Sequence, residues 1–317
     1  MKTVNEVYSS VLARRRYEVW FVRVGLADGA GAWWFRYLLL NPGRGGCDKR
    51  ERHDPRNMPV QVWATWFPRE GKPRSFIQGF AAETLDLSSR GENPFHFKIG
   101  NNRIGEDCCR GDLDVDGHRI SWELRYRSSF RVTLSNKGWI GFSRTPHSDA
   151  VFSGRITLDG HNFEGDLLGF GVQGHNCGYR HRGLWSWAHA CFPRDHAPAS
   201  TLEALVYDMP FGLAFRKAVL WHDGTEYVFR NLQEEAGSTF CWKFRCSHAD
   251  GLELQAAFDG AGRGLHLLHY MKTDCSGCFE VTNNSLASAV VCLKRGGREI
   301  ERLETSIGAV LEMTGKS

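Results

Sequence analysis

The residues with the most chemistry to offer stand in one stretch, Gly169-Phe-Gly-Val-Gln-Gly-His-Asn-Cys-Gly-Tyr-Arg-His181, followed at once by Leu184-Trp-Ser-Trp-Ala-His-Ala190. In an extended chain successive side chains point to opposite faces, so Gln173, His175, Cys177, Tyr179 and His181 share one face. Gln173, His175 and His181 bring strong polar groups to it, which is unusual for a core face. On the other face Gly174, Asn176 and Gly178 leave little bulk, so a neighbouring backbone or a ligand can approach closely. In the second stretch Trp185, Trp187 and His189 form an indole wall that ends in an imidazole. A water-excluding aromatic wall with a few fixed polar groups describes a site for an apolar ligand. The same residues also read as ordinary core, with packed tryptophans and buried, satisfied histidines.

Such a wall suits acid chemistry on an alkene. Protonating a carbon–carbon double bond requires an acid held neutral or cationic beside an apolar substrate, with competing water kept away. A protonated His175 would serve, and Trp185 and Trp187 would steady a carbocation by cation–π attraction. Glu106 and Asp107, in Asn101-Asn-Arg-Ile-Gly-Glu-Asp107, are alternative catalytic acids if burial raises their pKa. They equally describe a polar loop, and Asp149 in Pro146-His-Ser-Asp149 is a third candidate. Arg144 would either orient a polar head group or hydrogen-bond a barrel rim. Asn176, Tyr179 and His189 complete the expected substrate-binding set.

Other chemistries lack their fingerprints. There is no Gly-x-Ser-x-Gly elbow, no phosphate-binding loop, and no strand-to-helix setting around Gly260-Ala-Gly-Arg-Gly264 for a dinucleotide. Cys275-Ser-Gly-Cys278 has no second close ligand pair for zinc and no βαβ setting for redox work, and reads as a loop with two ordinary thiols. The expectation is therefore no metal and no organic cofactor. The 40 Lys and Arg against 36 Asp and Glu leave a net charge of +4, spread along the chain. A nucleic-acid partner, which needs a concentrated basic stripe, is not expected. No apolar run approaches the ~20 residues that cross a bilayer, and no apolar region follows the N-terminal lysine. These features predict a cytoplasmic protein with reduced cysteines, a hydrophobic small-molecule substrate, and at most peripheral membrane contact during its uptake.

The elements that must position these residues are strands. Eleven Trp, 20 Phe and 8 Tyr fall mostly in short alternating segments such as Tyr17-Glu-Val-Trp-Phe-Val-Arg-Val24 and Trp33-Trp-Phe-Arg-Tyr-Leu-Leu-Leu40. This texture suits a pleated surface buried on one side. Asp-Gly pairs at 28–29, 116–117, 159–160, 223–224 and 250–251 supply the positive φ angles of tight hairpins. Helix is confined to weak stretches at 2–12 and 81–88. A length of 317 residues favours two domains over one core. The prolines of Pro193-Arg-Asp-His-Ala-Pro198 suggest a linker, which gives an N-terminal domain over 1–192 and a C-terminal domain over 193–317. No short-period repeat is visible.

The run from Gly141-Phe-Ser-Arg-Thr145, through Phe152-Ser-Gly-Arg-Ile-Thr-Leu-Asp-Gly160, to Gly174-His-Asn-Cys-Gly178 and Trp185-Ser-Trp187 resembles a lipocalin-like superfamily. That superfamily contains carotenoid 1,2-hydratases (hydroxyneurosporene synthases), tocopherol cyclases and AttH-like proteins. The resemblance is best over residues 140–192. It implies two lipocalin-like antiparallel β-barrel domains, an all-β fold, with a ligand cavity near their junction. It also implies cofactor-free, acid-assisted chemistry on an isoprenoid or other hydrophobic polyene: water addition to an isolated isoprenoid alkene, or ring closure of a prenylated phenol. The family's box, Asp-His-x-Trp-Gly or Lys-Asn-Trp-Gly, departs here: Gly174 stands at the acidic position of the first variant and Cys177 at the tryptophan, so the acid of that box is missing, while the Asn-x-Gly of the cyclase-like variant survives as Asn176 and Gly178. A non-catalytic carrier of a hydrophobic metabolite is the second reading. The feature that separates the two is a buried acid facing the tryptophans.

Overall fold

The alternating segments fold as strands, connected almost everywhere by tight turns. A computed structural model describes residues 16–41, 58–86, 95–137, 141–179, 181, 183–194, 197–273 and 276–315. The first half contributes β1 (Arg16–Leu26), β2 (Gly31–Asn41), β3 (Val60–Pro68), β4 (Arg74–Phe80), β5 (Leu85–Asp86), β6 (His96–Ile99), β7 (Asn102–Gly105), β8 (Cys108–Val115), β9 (His118–Arg127), β10 (Val132–Asn136), β11 (Gly141–Leu158) and β12 (His161–Gly178). The second contributes β13 (Trp185–Arg194), β14 (Ala197–Asp208), β15 (Ala214–His222), β16 (Thr225–Phe229), β17 (Gln233–Glu235), β18 (Cys241–Ser247), β19 (Leu252–Asp259), β20 (His266–Met271), β21 (Cys278–Arg295) and β22 (Arg298–Met313).

Each half is one curled antiparallel sheet, so the protein is a pair of lipocalin-like β-barrel domains. The first sheet runs β4-β3-β2-β1-β12-β11-β9-β8-β7-β6-β5 with β10 on β11, and the second runs β16-β15-β14-β13-β22-β21-β19-β18-β17 with β20 on β21. Apart from β5 and β6 the two orders are the same, a correspondence that the sequence does not display. All five Asp-Gly pairs lie in turns between paired strands, and every one of their glycines has positive φ.

Two expectations need correction. Of the stretch at 81–88, residues 81–86 form a single 3-10 turn, Ala82–Thr84, that runs directly into β5, while 87–88 and 2–12 lie outside the described residues. The chain changes sheets between Gly178 and Trp185, so residue 192 falls inside β13 rather than at a linker. Pro193 pairs with Pro198 across the β13–β14 hairpin. Pairing of β13 with β22 ends at Ala190, so Pro193 lies past the last residue whose N–H that ladder uses.

Alternation gives each sheet two apolar faces with different neighbours. In β2, Trp33, Phe35, Tyr37 and Leu39 enter the first sheet's own core. Trp34, from the opposite face, joins a separate cluster with Phe21, Val172, Trp187, Leu205, Tyr207 and Val310, drawn from both sheets. A strand buried on both faces reads as a continuous apolar run, which explains the Trp33-Trp34-Phe35 sequence. Polar bonds cross the same junction. Arg23, fully buried, donates to the carbonyls of Ser285 (2.6 Å), Gly308 (3.3 Å) and Ala309 (3.3 Å) in the second sheet.

Candidate active site at the sheet junction

Where β1, β2 and β12 face β13, β14 and β22, the apolar junction opens into a cavity of about 230 Å³. The odd-numbered residues Tyr17, Val19 and Phe21 of β1, and the even-numbered Trp34 and Arg36 of β2, reach it from the first sheet. Trp185 and Trp187 of β13, Leu205 and Tyr207 of β14, Tyr270 of β20 and Glu312 of β22 reach it from the second. The pleat accounts for the spacing of two within each strand. The wall is largely aromatic: Phe21 and Trp34 pack edge-on against Trp187, and Tyr17 stacks on His181 at 4.0 Å.

Glu312 is the acid that faces the tryptophans. Its Oε1 accepts from Trp185 Nε1 (3.3 Å), and its Oε2 accepts from the Tyr270 hydroxyl (2.9 Å) and Asn283 Nδ2 (3.2 Å). Burial pushes its carboxyl above the usual range, although the Arg36 guanidinium and the three donors pull the other way. Burial therefore outweighs the ionising partners. The Arg36 guanidinium carbon lies 3.9 Å from the centre of the Tyr270 ring and 4.7 Å from that of Trp63. Burial and Arg36 drive the His181 imidazole down to about 3, so it is neutral at physiological pH.

A second acid, Glu203, sits beside this wall. Its Oε1 accepts from Trp187 Nε1 (2.9 Å) and from Thr145 Oγ1 of the first sheet (2.8 Å), and burial pushes it up to about 7. Neither Glu203 nor Glu312 is among the site residues expected from the sequence. Both stand in otherwise alternating strands, Leu202-Glu-Ala-Leu-Val-Tyr207 and the run through Val310-Leu-Glu-Met313, where a charged residue reads as facing solvent. The available clue was a lone carboxylate on a face whose neighbours two residues away, Leu205 and Val310, are apolar.

The expected site residues divide into two groups. Asn176, Tyr179, Trp185 and Trp187 line the cavity. His175 does not, because it projects from the opposite face of β12 to Asn176. It is fully buried in the first barrel, stacked on Trp20 at 4.4 Å, with Nε2 2.9 Å from Glu18 Oε1. The small-residue face of β12 meets the junction instead, and the Phe21 ring occupies the space that Gly174 leaves. His189 donates from Nε2 to the Ser148 carbonyl across the junction (2.7 Å), and burial drives it down to about 3. Arg144 lies over the Phe142 ring at 4.3 Å. Glu106 and Asp107 lie in the turn between β7 and β8, away from the cavity, although burial raises Glu106. Both oxygens of Asp149 accept backbone N–H groups from the 129–130 loop, which makes it a loop cap.

Among the described residues, His222, Asp223 and Glu301 bring ligand atoms within 4.8 Å of one another. Arg194 already lies 3.7 Å from Asp223 and 3.2 Å from Glu301, which places a cation at that cluster without a metal. Cys275 lies outside the described residues, and Cys278 is exposed at the start of β21. No described helix is long and apolar enough to cross a membrane.

No protein-family model matches the chain, and no curated protein matches it. Solved structures that share its fold include the following two. One is a Nitrosomonas europaea protein assigned as an AttH, with TM-score 0.54 and 13% identity, covering 95% of this chain and 92% of that one. The other is kievitone hydratase from Nectria haematococca, with TM-score 0.55 and 10% identity, covering 100% of this chain and 96% of that one.

Proposed function

We propose that the chain is a hydratase-type enzyme acting on a hydrophobic molecule in the junction cavity, with Glu312 as its acid. The observation that carries this reading is a buried carboxyl with both oxygens bonded to cavity-lining rings, Trp185 and Tyr270. Burial raises the pKa of this carboxyl and so favours its protonated form, the form a general acid must take beside an alkene. Glu312 gives that proton to one alkene carbon. The electron-rich faces of the surrounding rings steady the cation left on the other. Water then adds to the cation and returns a proton to the carboxylate, so the step needs neither a metal nor an organic cofactor. One of the two fold neighbours is named as a hydratase, which agrees with this chemistry. A cyclase follows from the same acid if a hydroxyl of the substrate takes the place of water.

The test is turnover of isoprenoid alkenes and prenylated phenols by chelator-treated protein, wild type against Glu312→Gln. Loss of a general acid lowers the rate by about 10²–10⁴, with ligand binding retained. Undiminished turnover in Glu312→Gln refutes the assignment, and tight binding without turnover by wild type makes the protein a carrier. Substrate entry belongs to the exposed apolar side chains Tyr179, Leu184, Phe211 and Leu213, which adjoin the cavity residues Trp185 and Tyr207 in the chain. Phe211 is 99% exposed, an arrangement suited to lipid contact. Phe211→Ser should reduce sedimentation with phospholipid vesicles, and equal sedimentation of wild type and variant would count against lipid-side entry.

A further inference from the structure

The cavity contains polar atoms that the protein leaves unused. Trp34 Nε1, Arg36 Nη1, Asn176 Oδ1 and His181 Nδ1 are all buried without a hydrogen-bond partner, and all four residues line the cavity. Trp34 and Arg36 are each only 5% exposed. A buried donor or acceptor left without a partner costs about 1–3 kcal/mol, and more when charged. Four such atoms around one cavity are therefore the imprint of an occupant. A hydrocarbon polyene would leave every one of them unsatisfied.

We infer that the ligand carries an electron-rich acceptor oxygen, a carboxylate or phenol-type oxygen on an apolar body, that docks on Arg36 and Trp34. This rests on the junction cavity being the ligand site, as proposed above. Trp34 and Arg36 are two residues apart on one face of β2, so their side chains reach the cavity wall from the same side. Arg36 packs on the Tyr270 and Trp63 rings, which meet edge to face, and these contacts restrict the guanidinium before any ligand arrives. A pre-oriented guanidinium loses little entropy when it binds an oxygen. Asn176 Oδ1 provides an acceptor for a hydroxyl hydrogen elsewhere on the same ligand. The apolar remainder lies against Phe21, Phe142 and Trp187, which carry no charge.

Calorimetric titration with naphthalene, 2-naphthol and 2-naphthoate tests this without any need for turnover. The oxygenated probes should bind at least about tenfold more tightly than naphthalene. Preference for naphthoate over naphthol assigns the oxygen to a carboxylate, and the reverse order to a phenol. Arg36→Met should abolish the preference, and Trp34→Phe should weaken it, each read as the ratio of oxygenated-probe to naphthalene affinity within the same variant. Because Arg36 is buried, Arg36→Lys serves where the methionine variant does not fold, and it should reduce the preference by losing the planar fork. Equal binding of all three probes overturns the inference, as does a preference that survives both Trp34→Phe and the Arg36 variant. Glu312→Gln should keep the preference, so failure of the acid assignment is distinguishable from failure of this one.

Discussion

Glu203 has its carboxyl pushed from about 4.5 to about 7 because it is taken out of water, and the Trp187 and Thr145 donors recover only part of that cost. An acid raised in the folded state holds its proton more tightly folded than unfolded. Its contribution to stability is full below about 4.5 and is lost as the pH rises through about 7. His189 acts in the opposite sense. Depressed to about 3, it destabilises the fold as the pH falls through the ordinary imidazole range. Subtracting the urea stability of Glu203→Gln from that of wild type removes the histidine contribution. The difference should shift against wild type by up to roughly 3 kcal/mol between pH 4.5 and pH 8. A pH-independent difference would place the folded pKa of Glu203 in its ordinary range. At this scale the sequence was partly legible. Trp185 and Trp187 announce a wall through their type and spacing. Glu203 and Glu312 do not announce an acid, because burial comes from the opposite sheet, a contact between residues far apart in the chain.

Strand faces were legible wherever one side is packed and the other wet, and hairpins wherever Asp-Gly marks a turn. The face of β12 was ambiguous, since His175 and Asn176 both look functional and a shift of one residue exchanges them. Glycine settles it, through close approach rather than turn geometry. A Cβ on Gly171 would lie 1.9 Å from the Arg23 carbonyl oxygen of β1, and backbone cannot move aside as a side chain can. Gly117, in the Asp-Gly turn between β8 and β9, has positive φ but open space around it. Gly171→Ala should therefore cost more than about 3 kcal/mol or prevent folding, whereas Gly117→Ala should cost about 1 kcal/mol. Thermal unfolding of the two variants measures the contrast. Equal, small losses would mean that β1 and β12 are not so closely apposed.

At the scale of the whole molecule, two sheets of one strand order meet through faces that carry both the shared apolar cluster and the cavity. The boundary was misplaced in the sequence reading because prolines mark any backbone freed from a ladder, a hairpin end as well as a linker. Arg23 is the residue on which the joining of the halves depends most directly. Its guanidinium leaves β1, crosses the junction and serves three carbonyls of β21 and β22. Burial lowers it only to about 10, so it remains charged at neutral pH. Arg23→Met keeps the length and apolar stem of the side chain but strands those carbonyls in a dry interface. The expected loss is about 1–3 kcal/mol for each carbonyl left without a donor. That loss falls on the contact between sheets rather than on either sheet's own core. Urea unfolding followed at several wavelengths should therefore separate into two transitions in Arg23→Met while wild type shows one. Binding of 2-naphthoate should disappear with the first of the two, since the cavity walls come from both sheets. A single transition at the wild-type midpoint would show that the apolar cluster alone couples the halves and that Arg23 contributes nothing to their union.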